Sequence, residues 1–313
     1  MCTNSIVILG NGFDVALGIP TRYSQFYNDS KELQYYANNG NALCNHILNV
    51  KGSLWSDLEC GLYQYSLGIT RKYGVGNVFQ AQKLEREFNE LRTALFDYLD
   101  SVASIPVNVD NEAPVLGLNI EWNELNPQFI TFNYSINTAN IADMNSGRIY
   151  NADDSINESS FIYQHGSIFD PKKGRNYLPI EIVLGLDYST QQVEPLHSFL
   201  YKKNQNLHDL EESLSIIAKK SFYVVYGCSV GDSDAIYFKT VFNKNQRGKI
   251  YLIYGFEDKA INDIKANIER ICGIDISEFC ANNYVLFLDV TDVPNTRQKT
   301  KQIIHCYLNG LDE

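Results

Sequence analysis

The chain has 313 residues, 44% of them hydrophobic and 20% charged, which is an ordinary composition for a globular protein and enough to bury a large core. Its net charge of −11 excludes broad binding to nucleic acid, which needs clustered Lys and Arg to displace counterions from phosphates. Seven cysteines at positions 2, 44, 60, 228, 272, 280 and 306 contain no CxxC pair, so no zinc module is written here. The sequence has no charged-then-apolar leader and no apolar run near about 18 residues, so the expectation is a cytoplasmic protein with free thiols and no membrane span.

The first element is a run of four apolar residues, Ile6 to Leu9, as in a strand buried on both faces of a parallel sheet. Gly10 and Gly12 follow, where the missing Cβ permits a tight turn and lets a phosphate approach the amides of the next helical turn, with Asp14 placed to cap it. Val15 stands where a dinucleotide fingerprint needs its third glycine. A turn of this kind serves equally well as a strand-to-helix connection with no ligand.

Helical spacing then takes over for about a hundred residues. Trp55, Leu58, Leu62 and Tyr65 recur at steps of three or four, and so do Leu84, Phe88, Leu91, Leu95, Leu99 and Val102, predicting amphipathic helices over 54–67 and 80–103. Residues 24–122 read as a helical insertion capping the strand ends. Strand patterns return at 128–134, 160–166 and 180–186, then at 221–229, 249–256 and 283–290. Helical stretches are expected around 195–220, 233–243, 258–271 and 294–309. Strands alternating with helices, each strand a near-continuous apolar run, predict one doubly wound, mostly parallel α/β domain of Rossmann type spanning 1–313. The basic runs Arg71-Lys72, Lys172 to Arg175 and Lys202-Lys203 read as solvated faces.

In such sheets ligands bind beyond the carboxyl ends of the strands. Four ends stand out: Gly10-Asn11-Gly12, Asn133-Tyr134, His165-Gly166-Ser167 and Gly227-Cys228-Ser229. Each alone is as compatible with turn formation as with catalysis.

Taken in order, they resemble the sirtuin series of a GxG turn with Gly-Ile-Pro and an arginine, a Thr-x-Asn strand end, a His-Gly and a Gly-x-Ser. Here Gly18-Ile19-Pro20 is followed by Thr21 and by Arg22, one residue earlier than in sirtuins, and Asp14 replaces a serine. In Thr131-Phe132-Asn133, phenylalanine replaces glutamine, and Ser135 replaces an aspartate. Gln164-His165-Gly166-Ser167 and Gly227-Cys228-Ser229-Val230 match more closely. The stretch Gly10-Asn11-Gly12-Phe13-Asp14 is similar to the opening motif of the bacteriophage abortive infection AbiH family. That resemblance extends to Gly231-Asp232-Ser233-Asp234 and to Trp55-Ser56-Asp57-Leu58-Glu59 inside the helical insertion. Asp57 and Glu59 are two apart, so only one of them is expected to face the site; an exposed acidic turn beside Trp55 would read the same.

The resemblance implies NAD as substrate or ligand, held by Gly10, Asn11, Gly12, Phe13, Asp14, Pro20, Thr21, Arg22, Tyr134, Gly166, Gly227, Cys228, Ser229, Asp232 and Asp234. Asn133 and His165 are the implied catalytic pair. The implied reaction is cleavage of the nicotinamide–ribose bond through an oxocarbenium-like state, with His165 as base and Asn133 positioning water or ribose. Without zinc-ribbon ligands deacylation is disfavoured, leaving water as acceptor and an NAD glycohydrolase of antiphage defence, answering to a phage-derived trigger. Two alternatives stay open. One is a non-catalytic nucleotide-binding sensor, favoured by Ser135. The other is a metal-dependent nuclease or hydrolase built on Asp14, Asp57, Glu59, Asp232 and Asp234, which requires two of those carboxylates to converge on a divalent ion. The sequence leaves the oligomeric state open, a homo-oligomer included.

Overall fold

The computed structural model describes residues 4–16, 18–50, 55–103, 125, 127–134, 161–165, 169–170, 175–176, 182–187, 190–205 and 210–309. Strand β1 (Ser5–Leu9) is buried along its whole length and pairs in parallel with β2 (Gln128–Thr131) on one side. β2 in turn pairs with β3 (Phe161–Tyr163). A short antiparallel pair, β4 (Phe169–Asp170) and β5 (Arg175–Asn176), stands apart from this sheet. The other side of β1 takes β6 (Phe222–Tyr226), followed by β7 (Ile250–Gly255) and β8 (Tyr284–Asp289). The resulting order is β3-β2-β1-β6-β7-β8, with every pairing parallel. The chain reverses its winding between β1 and β6, and a crevice opens at such a switch point.

Successive strand residues point to opposite faces, and here both faces are covered. Val7 and Leu9 join one cluster with Phe129, Val224 and Leu252, whereas Ile6 and Ile8 join another with Ile130, Val225 and Ile253. The first cluster is closed by α1 (Asn11–Ala16), α2 (Tyr23–Asp29), α4 (Ala42–Asn49), α5 (Trp55–Tyr73) and α6 (Val78–Ala103), with α3 (Lys31–Asn38) between α2 and α4. The second is closed by α7 (Leu210–Ala218), α8 (Ala235–Val241), α9 (Glu257–Cys272) and α10 (Ile276–Asn282). The C-terminal α11 (Val293–Asn309) returns to the first face through Ile303 and Ile304.

Local chemistry sets the helix boundaries. The Ser30 hydroxyl caps α3 by accepting from the Leu33 amide, Asn41 caps α4 through the Cys44 amide, and Asp275 caps α10 through the Ser277 and Glu278 amides. On α6, Leu84, Phe88, Leu91, Leu95, Leu99 and Val102 are all buried. Full burial of each such side chain contributes about 1.5–3 kcal/mol. Residues 104–124, apart from these helices, fall outside the described residues.

The segment expected as a strand at 180–186 is not part of the sheet. Its described portion, 182–187, forms a single isolated bridge, Leu186 to Tyr201. Side chains satisfy its carbonyls, the Arg92 guanidinium donating to Ile182, the Tyr134 hydroxyl to Val183 and the Gln205 amide to Leu184, while its Val183 and Leu186 amides donate to the His165 and Leu200 carbonyls. The apolar run is buried because these side chains and neighbouring carbonyls together satisfy its backbone.

The two loops at the switch point touch through glycine. The Gly12 amide donates to the Gly227 carbonyl at 2.9 Å, and a Cβ on Gly12 would lie 2.7 Å from the Gly227 Cα. Gly227 itself has φ of 66°, and a Cβ there would sit 2.4 Å from the Phe13 nitrogen. Left-handed strain and overpacking therefore act together in Gly227→Ala, which is expected to destabilise the fold by about 2–4 kcal/mol. A urea denaturation midpoint equal to that of the wild type would refute this account of the contact.

Candidate functional site

Because the strands are parallel, their C-terminal ends open on one edge, and a cavity of about 360 Å³ lies there. Its wall includes Gly10, Asn11, Gly12 and Asp14 after β1, Phe132, Asn133 and Tyr134 after β2, His165 after β3, and Gly227, Cys228, Ser229 and Asp234 after β6. Thr21 and Arg22 also line it, and Glu59 reaches it from α5. Three candidates point elsewhere. Phe13 is buried edge-on against Tyr226, the Pro20 carbonyl accepts from the Tyr98 hydroxyl, and Asp232 pairs with Arg270 at 2.8 Å on the surface. Asp57 is not in the wall, so of the two acidic residues on α5 it is Glu59 that faces the site. Gly166 and Ser167 lie outside the described residues, as does Ser135.

Asn133 is 3% exposed, and its Nδ2 donates to the Gly10 carbonyl at 2.8 Å and to Asp14 Oδ1 at 3.1 Å. Two acceptors on that side fix the orientation of the amide. Oδ1 is then the buried atom left without a hydrogen-bond partner among the described residues. An acceptor in this state favours a ligand that brings an O–H or N–H to it. Asp14, expected as a helix cap, instead receives the Asn133 amide from within α1.

His165 stands between the rings of Phe132 and Tyr134, with centroids at 5.3 and 5.7 Å. Its Nε2 lies 3.0 Å from Asp234 Oδ1. The same carboxylate oxygen is 2.9 Å from Lys202 Nζ, which also lies 2.8 Å from Glu59 Oε1. Burial pulls the His165 pKa down and the nearby Lys202 charge adds to this, outweighing the opposite pull of Asp234 and the Phe132 carbonyl. Burial would raise the Asp234 carboxyl, but Lys202 and His165 together hold it well below the usual carboxylate range. Burial would likewise lower the Lys202 ammonium, and Asp234 and Glu59 raise it instead. A neutral ring has one N–H to share between two acceptors, the Asp234 carboxylate at Nε2 and the Phe132 carbonyl, and its other nitrogen carries the lone pair.

Two expectations and one open alternative meet the geometry of this cluster and its loops. Lys202 is not on a solvated face but 7% exposed, at the centre of the charge cluster. Glu59 and Asp234 do converge, yet on the Lys202 ammonium, and among the described residues no group of three or more His, Cys, Asp or Glu is placed to hold a metal. The amides of Gly10 and Gly12 donate to the Tyr226 and Gly227 carbonyls and are not directed at a phosphate. Arg22, exposed at the cavity wall, is the better placed anion ligand. Cys228 is buried, and burial pushes its thiol up, so it acts as a small apolar wall residue. Sequence reasoning also missed Phe256, Asp263 and Asn267, which line the cavity from the end of β7 and from α9.

A parallel sheet wound in this order, with a cavity at its switch point, places the protein among Rossmann-like α/β folds. Residues 6–256 match the family model described as bacteriophage abortive infection AbiH. The chain belongs to that family, whose membership supports a role in phage abortive infection. No curated protein and no solved structure matches it. Among the described residues no helix is long and apolar enough to cross a membrane.

The depressed His165 and His197 pKa values set the acid behaviour of the fold. The folded protein binds these protons less readily than the unfolded chain, so stability is intact above the ordinary histidine value of about 6.5 and falls as pH drops below it. Asp234 contributes in a lower window, its stabilisation being present above about pH 3.9 and lost as pH falls further. Urea midpoints are expected to decline between about pH 7.5 and pH 5, less steeply in His165→Gln. An equal slope in the variant would contradict the assignment.

Proposed function

We propose that this AbiH protein is an NAD glycohydrolase that hydrolyses NAD to nicotinamide and ADP-ribose during phage defence. The observation that carries the reading is the unpartnered Asn133 Oδ1 in the same cavity wall as a neutral, carboxylate-oriented His165. The sirtuin-like order of the strand-end motifs points to the same substrate. Asn133 Oδ1 accepts from a ribose hydroxyl or from the attacking water and holds it in line. The glycosidic bond breaks with its electron pair passing to the nicotinamide nitrogen, which cancels the ring charge. The water oxygen bonds to C1′ and its proton passes to the unprotonated nitrogen of the His165 ring, then to solvent. Asp234 stabilises the imidazolium while it exists. The diphosphate is assigned to the Arg22 guanidinium and the Ser229 hydroxyl, since the glycine amides are engaged elsewhere.

A second reading, a nucleotide sensor without turnover, is favoured by the tight seating of the His165 ring, 6% exposed and held by Asp234. Incubation with NAD and chromatographic detection of nicotinamide separates the two, provided that binding of ADP-ribose is measured on the same sample. Asn133→Ala and His165→Ala are each expected to lower turnover by about a hundred- to ten-thousand-fold, measured well below a thermal midpoint that the lost buried hydrogen bonds also lower. Arg22→Gln is expected to weaken ADP-ribose binding by about tenfold or more. Wild-type turnover in His165→Ala would remove the base assignment, and ADP-ribose binding without any nicotinamide release would favour the sensor.

A further inference from the structure

The residue that joins the helical segment between β1 and β2 to the cavity is Lys202, and neither the family match nor the proposed chemistry gives it a role. It follows a 3-10 helix, Pro195–Leu200, and its amide donates to the Leu186 carbonyl, so its backbone is pinned to the 182–187 run, whose Leu184 lines the cavity. Its side chain is 9% exposed, and Nζ lies 2.8 Å from Glu59 Oε1 and 2.9 Å from Asp234 Oδ1. Asp234 Oδ1 lies 3.0 Å from His165 Nε2. Two stretches distant in sequence thus meet on one ammonium, α5 through Glu59 and the loop after β6 through Asp234, and Asp234 carries the connection on to His165 after β3.

A buried ion cluster of this kind is a poor source of stability, because desolvation offsets most of the attraction. Its effect here is geometric and electrostatic: the ammonium keeps a carboxylate ionised and aimed at an imidazole in the cavity wall. We propose that Lys202 is a positioning residue, which, anchored by Glu59 from α5, holds the Asp234 carboxylate on His165 and thereby fixes the orientation and charge of that ring. The inference rests on the geometry of the cluster and deepens the proposed NAD chemistry by naming what controls its base.

The groups facing the cluster leave His165 as its member that titrates near neutrality. Tyr134, with Arg92 behind it, lies beside Lys202, while Tyr237 and Cys228 lie near Asp234. Burial pushes both phenols and the thiol up, so all three stay neutral. It lowers the Arg92 guanidinium to about 10, still charged near neutrality. Removing the Lys202 charge therefore acts on His165, whose protonation it opposes.

The test is an NMR titration of the His165 ring protons in the full chain without NAD, assigned by their loss in His165→Gln. Lys202→Met is expected to move the midpoint to higher pH by about one unit or more, and Lys202→Arg to return it toward the wild-type position. A folded Lys202→Met protein whose ring titrates at the wild-type midpoint overturns the proposal. Should Lys202→Met not fold, Glu59→Gln carries the test. Loss of that carboxylate leaves more of the ammonium's field on His165, so the midpoint is expected to fall, and an unchanged or raised midpoint overturns the proposal. Nicotinamide release, measured separately, distinguishes the two ideas: a shifted midpoint without any NAD cleavage in the wild type leaves the positioning role standing and removes the NAD reading.

Discussion

The architecture of the site depends on one close approach, that of the loop after β1 to the loop after β6. Gly12 and Gly227 meet so tightly that neither tolerates a Cβ, and the Gly12 amide is spent on the Gly227 carbonyl. Gly10 makes the equivalent bond to the Tyr226 carbonyl. The glycines that resemble a phosphate cradle therefore act first as a seam. By closing it, they bring Asp14 and the Gly10 carbonyl to where Asn133 can be held, and Cys228, Ser229 and Asp234 into the wall of the same cavity. The Val230 backbone in the same loop adopts a φ of 52°, an uncommon conformation for a β-branched residue that the surrounding contacts must support.

Around this seam the molecule assembles a charge cluster that its hydrophobic surroundings make expensive. Each buried ion loses roughly several kcal/mol of hydration, and the arrangement is sustainable because Lys202 meets two carboxylates at hydrogen-bond distance. The low dielectric that raises this cost also strengthens each interaction inside the cavity. A neutral imidazole and an ionised carboxylate persist side by side for that reason, whereas the same low dielectric makes the Asn133 oxygen costly for as long as it lacks a partner.

Much of this was legible in the sequence, and the reason is specific. Strands buried on both faces are uninterrupted apolar runs, so Ile6 to Leu9, Phe222 to Tyr226 and Ile250 to Tyr254 announce themselves, and the residues closing them fall on one edge once the strands are parallel. The run at 180–186 has the same composition but owes its burial to donors from Arg92, Tyr134 and Gln205, distant side chains that no local pattern contains. Lys202 was illegible for a related reason. A lysine next to another lysine reads as surface, and only the arrival of Glu59 and Asp234 makes burial of its charge tolerable. Asp232 and Asp234 could not be separated by type, since a single 3-10 turn sends one to Arg270 on the surface and the other into the cavity. The glycine motif, finally, signals close backbone approach without saying whether the approaching group is a ligand or another loop.

The parallel pairing of β1 with β6 has a further consequence for how the protein comes into being. Ile8 and Val225, register partners at the centre of the sheet, are about 217 residues apart in the chain. Strand pairing over such a separation requires a large loop to close before any contact compensates for it, which makes the sheet slow to nucleate. During synthesis the β1 strand emerges long before its partner exists, and the cavity cannot be assembled until β6 has left the ribosome. An unfinished chain therefore carries the glycine loop and Asn133 without Asp234 in place, so whatever activity the cavity has is confined to molecules from which β6 has already emerged.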